Sequence, residues 1–334
     1  VQTVDVIVVG AGLSGTAAAT DLSRAGLEVT VLEKSRGTGG RAATRRWDDA
    51  RLDHGAPFFT ARGERFSSLV QQLETTGAVK VWTNGFHQWR DGTLHAPSDG
   101  YPRFVPSDGM NALSKAIRGD AAYTLETGAT VTGIRRDGDG YTVSLETADK
   151  QLETRSAKRI IVTAPTPQAL KLTDAMLEPA TRAALEHVTW QPCWALLAQL
   201  SSAPDVPWRG IKLYGHPALE WIALEHTKRP SSPALVAHAT PEWTTANLER
   251  SAEETAPLLR DALLETLPNL EIAHVAAHRW RYARASQMHP APTLEQDGLI
   301  FCGDWCATDP HGTRVENAVQ SGWAAATRIL ETRA

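Results

Sequence analysis

Residues 4–15 read VDVIVVGAGLSG, and this stretch restricts the fold more than any other. The apolar, β-branched run over 4–9 has the character of a strand buried on both faces. Gly10, Gly12 and Gly15 follow in G-x-G-x-x-G spacing, and the alanine-rich stretch after them reads as a helix over 13–25. A second apolar strand over 27–33 ends on Glu33, 18 residues beyond Gly15. Together these form a βαβ unit whose first turn suits a dinucleotide. The first glycine permits the tight turn, the second lets the backbone approach a pyrophosphate, and the third lets helix and strand pack closely. The helix N-terminus turns its N–H groups and partial positive charge toward the phosphates. Glu33 stands where a carboxylate accepts hydrogen bonds from both ribose hydroxyls and repels a 2′-phosphate.

A second glycine-rich loop, EKSRGTGGR over 33–41, follows at once. Simple NAD enzymes have no further phosphate device directly after the acidic residue. Here Gly37, Gly39 and Gly40 let a loop fold over a ligand, and the Arg41 guanidinium can fork across pyrophosphate oxygens. The plainer alternative is a flexible basic loop, because Arg45 and Arg46 come next.

Composition narrows the class. The 334 residues suffice for two coupled domains, and the formal charge of −4, with no basic stripe, argues against nucleic acid as a partner. Three cysteines make neither a disulfide framework nor a zinc site, so a reducing, cytoplasmic setting and no metal are expected. No apolar run approaches the length of a membrane helix, and the chain enters a strand too soon for a leader, so no membrane partner is expected. Eleven tryptophans exceed what packing needs and suggest a site for flat, aromatic groups.

Along the chain, 62–76 reads as an amphipathic helix stopped by Gly77, and a helix is expected near 107–120. Asn84-Gly85 and Asp91-Gly92 read as turns between short strands, and a hairpin surrounds 137–140. AKRIIVTAP over 157–165 returns to the buried parallel style, strands dominate 190–282 around one helix near 251–266, and a strand in GLIFCGDW precedes a helix over 315–332. The fold class is therefore α/β. A discontinuous Rossmann-type domain (1–60, 105–167 and 295–334) is interleaved with an α+β substrate domain on an antiparallel sheet (61–104 and 168–294).

GAGLSG, EKSRGTGGR and DHGAPFFTAR (53–62), with ALVAHATPEW (234–243), HRWRYA (278–283) and GDW…RVENAVQSG (303–322), resemble the flavin-containing amine oxidases, and within them the renalase-like branch. The resemblance implies an amine-oxidase and p-hydroxybenzoate-hydroxylase type of architecture and FAD held non-covalently. It implies that Gly10, Gly12, Ser14, Gly15, Glu33 and Lys34 hold the ADP half, with Gly40 and Arg41 at the pyrophosphate. Val131 matches the strand that meets the adenine, and Gly55 and Ala56 the segment along the flavin. Gly303 and Asp304 would meet the ribityl chain or phosphate. Arg314, Val315 and Ala318 would form a helix start aimed at the flavin N1–C2 edge, where a positive dipole end stabilises reduced flavin. Pro57 departs from the glutamine common in relatives, ATDPHG lengthens the turn before Arg314, and Cys302 and Cys306 look like packing residues.

The same resemblance implies a reaction in which the flavin carries the chemistry and no side chain is catalytic. Hydride passes from a 2- or 6-dihydro isomer of NAD(P)H to flavin N5, and dioxygen takes the electrons to give peroxide, a repair of misreduced cofactor. Phe59, Tyr214, Trp280 and Tyr282 are candidate walls, His238 a partner for the carboxamide, and Arg103 or Arg281 a contact for phosphate or the flavin edge. Alternation in HRWRYA puts Trp280 and Tyr282 on one face and Arg281 on the other. The alternative activity is oxidation of a primary amine or polyamine, with Glu220 and Glu225 guiding a cation and Lys212 or Lys228 near N5. A third alternative is an FAD-bound structural protein. A monomer or weak dimer is expected.

Overall fold

The computed structural model describes residues 3–97, 99–307 and 312–332. The ATDPHG insertion lies mostly at 308–311, outside the described residues. The chain divides into two compact units, each assembled from separated segments. The first is Val1–Gly40, Ala112–Thr189 and Arg284–Ala334; the second is Arg41–Asn111 and Trp190–Ala283. Residues 41–60, grouped above with the nucleotide domain, cluster with the second unit.

The first unit is built on an eight-stranded sheet. Its core strands Thr3–Val9, Val29–Glu33, Thr124–Thr127, Leu152–Val162 and Leu299–Phe301 pair in parallel. Val6, Ile7 and Val8 are fully buried, which explains a continuous apolar run instead of an alternating one. The helix Leu13–Arg24 covers one face through Ala17, Ala18 and Ala19, whose small side chains let the backbone lie close. The helix Val315–Glu331 packs against the same core through Ala325, Ala326 and Ile329. The hairpin Thr130–Asp137/Gly140–Glu146 forms an antiparallel edge on this sheet.

The second unit centres on a seven-stranded sheet ordered Ile272–Gln287, Thr189–Leu200, Ala234–Ala239, Leu219–Leu224, Gly210–Tyr214, His87–Arg90, Thr93–His95. Alternate residues divide its two faces. Leu196, Leu235 and Ile222 pack with Leu259 and Leu263 of the helix Ala252–Thr266, which opens on a Ser251–Glu254 capping box. Ala195, Leu197 and Val236 face the other way, against Ala50 and Leu52 of the strand Ala50–Asp53.

Two local expectations change here. Asp91 and Gly92 both have positive φ and close the hairpin between His87–Arg90 and Thr93–His95. Asn84-Gly85 closes none, because Val79–Asn84 pairs with Pro102–Pro106 while His87–Arg90 runs parallel to Gly210–Tyr214. The helix expected near 107–120 is confined to Ala112–Arg118.

Candidate active site

In the first unit the two glycine loops dock on each other. Gly39 donates its N–H to the Ala11 carbonyl at 2.9 Å, and Gly12 and Gly39 form a bridge. A Cβ on Gly40, whose φ is +58°, would press on the Gly12 Cα at 3.1 Å, and within the first loop a Cβ on Gly15 would overlap the carbonyl oxygen of Gly10. The helix Leu13–Arg24 carries no acidic residue in its first turn, so its positive end is not offset from within. Glu33 is only 6% exposed; its carboxylate accepts from the backbone N–H of Ala11 and of Ser35, both at 2.8 Å. A carboxylate has about four acceptor positions, so capacity for ribose hydroxyls remains. Glu33 and Ser35 also accept, through their carbonyls, from Ala129 and Gly128, which brings the start of the strand Thr130–Asp137, with Val131 its second residue, beside them. Lys34 is exposed, and the Ser14 hydroxyl lies 3.2 Å from the Cys302 sulfur.

Gly303 is buried and donates its N–H to the Ser321 hydroxyl; Asp304, Arg314 and Ala318 are half-buried, and Val315 is buried. The first turn of the helix Val315–Glu331 holds Glu316, a buried carboxylate that offsets part of the positive end expected there. Burial pushes the Cys302 thiol up to about 12 and the Cys306 thiol well above its ordinary value, as suits packing residues.

In the second unit, Arg41, Gly55 and Ala56 come together. The Ala56 N–H donates to the Arg41 carbonyl at 2.9 Å, and a Cβ on Gly55 would overlap that same oxygen. The Arg41 guanidinium lies 5.1 Å over the Trp190 ring and donates to the Ala283 carbonyl. The segment is anchored by a charge cluster that sequence reasoning missed. Asp53, Glu225, Lys228 and Arg229 are all between 0% and 3% exposed. Asp53 accepts from Lys228 Nζ at 3.2 Å, Arg229 Nη2 at 2.8 Å, the Thr44 hydroxyl and the Met110 N–H, and its own N–H donates to Glu225. Lys228 Nζ donates to Glu225 at 2.6 Å. Burial, the strongest influence on both acids, pushes them up. At Asp53 the two cations and the hydrogen bonds outweigh it and the carboxyl is held below its usual range. Glu225, with Asp53 beside it, is pushed up to about 7. These placements correct two expectations: Glu225 cannot guide a cation in from solvent, and Lys228 is committed to carboxylates.

The next residue, His54, stacks on Trp280 (centroids 5.3 Å, interplanar angle 17°), and the Trp280 indole N–H donates to the His54 carbonyl at 2.8 Å. His278 meets both rings edge-on at 4.5 Å. Burial, then the nearby His278 and His238, lower the His54 pKa to about 3, and burial also lowers that of His278, so both are neutral at physiological pH. His54 and His278 also escaped sequence reasoning, although DHGA and HRW flagged their segments.

Of the seven residues expected at the substrate, Trp280 and His238 belong to this neighbourhood and Tyr282 lies beside Trp190, ring centroids 6.0 Å apart. The other four do not. Phe59 is 3% exposed and packs on Phe104 and Phe66. Tyr214 lies on a strand four places from that of Trp280, under the Arg90 guanidinium. Arg103 is buried over Phe86 and bonded to Asp99. Arg281 points outward and forks onto Glu249 at 2.8 and 2.9 Å. Among the described residues no group of His, Cys, Asp and Glu could hold a metal, and no helix is long and apolar enough to cross a membrane.

A family model described as flavin containing amine oxidoreductase matches residues 86–330, and one described as an NAD(P)-binding Rossmann-like domain matches 8–73. The chain belongs to the flavin containing amine oxidoreductase family. Phytoene desaturase of Cercospora nicotianae is 39% identical over 91 residues, 26% of this chain but only 15% of the desaturase. Cyclohexylamine oxidase from Brevibacterium oxydans IH-35A superposes with a TM-score of 0.75 at 15% identity, covering 99% of this chain and 100% of that one. A triple mutant of putrescine oxidase gives a TM-score of 0.75 at 16% identity, covering 99% of each. At such identity the structural likeness speaks for the fold alone: a Rossmann-like domain joined to an amine-oxidase-like one. The family implies a flavin, and the glycine cradle, the acid-free helix start and the spare acceptor capacity of Glu33 fit one.

Proposed function

We propose that the chain is an FAD-dependent oxidase of the renalase-like branch, which oxidises 2- or 6-dihydro isomers of NAD(P)H to NAD(P)+ and reduces dioxygen to hydrogen peroxide. The FAD is bound without a covalent link, its ADP half on Gly10, Gly12, Gly15 and Glu33. When bound, the flavin supplies the two-electron oxidation and the return of electrons to dioxygen. The protein's own part is binding and exclusion of water. The observation that carries the reading is the His54–His278–Trp280 cluster, whose three rings carry no charge of their own although Arg45 lies close enough to act on both imidazoles. A dihydropyridine gains aromaticity on losing hydride, so it needs a flat neutral wall and no strong base. Neutral imidazoles also do not repel the pyridinium product.

The second reading, oxidation of an amine, follows the description of the family itself, flavin containing amine oxidoreductase. Against it stands the burial of Glu225 and Lys228 in their own ion pairs. Anaerobic mixing of the flavin-loaded protein with a borohydride-generated mixture of NADH isomers, and separately with amines, decides between them. Rapid flavin bleaching by the isomers is expected. Bleaching by amines and not by isomers would overturn the proposal.

A further inference from the structure

The strand Thr189–Leu200 enters the second unit at Trp190, and the short helix Pro241–Ala246 follows the strand that carries His238. Between them lies a groove of about 460 Å³ lined by Trp190, Gln191, Pro192, Pro241, Glu242, Thr245 and Ala246. That volume is within the range of small-molecule sites, roughly 300–1,000 Å³. Its walls are an indole, two proline rings and a methyl group, which suit a flat base. Its polar groups are an amide, a hydroxyl and the exposed carboxylate of Glu242, with Thr245 three residues on and so on the same side of the helix.

The groove is joined to the aromatic cluster through Tyr282. Trp280 and Tyr282 are two residues apart on one strand face, and Tyr282 meets Trp190 edge-on at 6.0 Å. Trp280 and Tyr282 are about 7 Å apart along their strand, and Tyr282 reaches across to Trp190 on the neighbouring strand, so aromatic rings run from the cluster to the groove. Trp190 lines the groove, whereas Arg41, whose guanidinium lies over the same ring, does not.

We propose that this groove seats the adenosine end of the substrate, with the adenine against Trp190 and the ribose 2′-hydroxyl donating to Glu242. The protein then prefers dihydro-NAD isomers to dihydro-NADP isomers, because a 2′-phosphate would face the Glu242 carboxylate. This is the discrimination an acidic residue at a ribose makes in dinucleotide-binding turns. The inference rests on the dihydronicotinamide reading and deepens it.

Two measurements on the flavin-loaded protein test it. In calorimetry, AMP binds, and adenosine 2′,5′-bisphosphate binds about tenfold more weakly or worse. Trp190→Ala weakens AMP about tenfold, Trp190→Phe retains it, and Glu242→Lys reverses the preference between the two nucleotides. In anaerobic flavin reduction, the wild type has a KM about tenfold lower for NADH isomers than for the isomers of dihydronicotinamide mononucleotide, and Trp190→Ala collapses that ratio. AMP binding indifferent to both positions, or equal use of NADH and NADPH isomers, overturns the groove assignment while leaving the oxidase reading intact. Failure of every dihydronicotinamide isomer to bleach the flavin overturns the reading itself, and the groove assignment with it.

Discussion

Glu225→Gln isolates one titration in the buried charge cluster. Burial pushes the Glu225 carboxyl up to about 7 from an ordinary 4.5; Lys228 pulls against this and Asp53 adds to it. A carboxyl whose pKa is raised in the folded state takes up a proton on folding between those two values. Its stabilising contribution is fully present below about pH 4.5 and is lost as the pH rises through 7. Each pKa unit corresponds to about 1.4 kcal/mol, so raising the pH across the window removes about 3 kcal/mol through this group. Glutamine keeps the shape and one acceptor oxygen but cannot titrate. Other groups work in the opposite sense. His54, held at about 3, gives stability that is present above its ordinary 6.5 and lost as the pH falls toward 3. The useful quantity is therefore the difference between variant and wild-type urea unfolding free energies, in which shared groups cancel. Between about pH 5 and pH 8 that difference should move in the variant's favour by about 2–3 kcal/mol. A difference that stays flat, or moves the other way, would refute the placement of a titrating Glu225 among Asp53, Lys228 and Arg229.

Lys228→Met removes a cation from two carboxylates, and should cost about 3–5 kcal/mol of stability in the same unfolding assay at neutral pH. Gly55→Ala drives a methyl group into the Arg41 carbonyl, so a loss of about 1–3 kcal/mol and a lower flavin-to-protein absorbance ratio after purification are expected. Glu33→Gln leaves one of the Ala11 and Ser35 N–H groups without its acceptor, a cost of about 1–3 kcal/mol. The variant should release flavin during dialysis where the wild type retains it. His54→Leu should flatten the acid side of the stability curve between about pH 6.5 and 3, read from urea midpoints, because it deletes an imidazole that must otherwise charge in a buried place.

What could be read from the sequence was the part written in local spacing. Gly10, Gly12, Gly15 and Glu33 lie within one βαβ unit whose local geometry follows from turn residues and strand length; the structure adds the docking of Gly39 on Ala11 and the Ala11 and Ser35 N–H groups on Glu33. The seven-stranded sheet was legible as a set of strands because its period of two survives in each. Its order was not, since Gly210–Tyr214 pairs in parallel with His87–Arg90, more than a hundred residues earlier. The charge cluster joins Asp53 to partners 172 to 176 positions away, and no local pattern announces such a meeting. One signal was present: Glu225, Lys228 and Arg229 close an apolar strand with charges three and four residues apart, a spacing that puts them on one side of a helical turn.

The four substrate-site candidates that lie elsewhere share a physical cause. Aromatic and arginine side chains serve cores, surface pairs and binding sites equally well, and residue type alone does not separate these uses. Phe59 was taken by the Phe66–Phe104 packing and Arg281 by Glu249, each satisfied by a partner that sequence reading did not consider. His54 shows the converse. Its neighbours in sequence, Asp53 and Gly55, are each fixed from one side, Asp53 by the buried cations and Gly55 by the Arg41 carbonyl. The imidazole between them is thereby held against Trp280, and burial keeps it neutral. The ion pairs of the second unit are thus tied to the geometry of its aromatic face, and a variant that loosens Asp53 should disturb the face before it unfolds the chain.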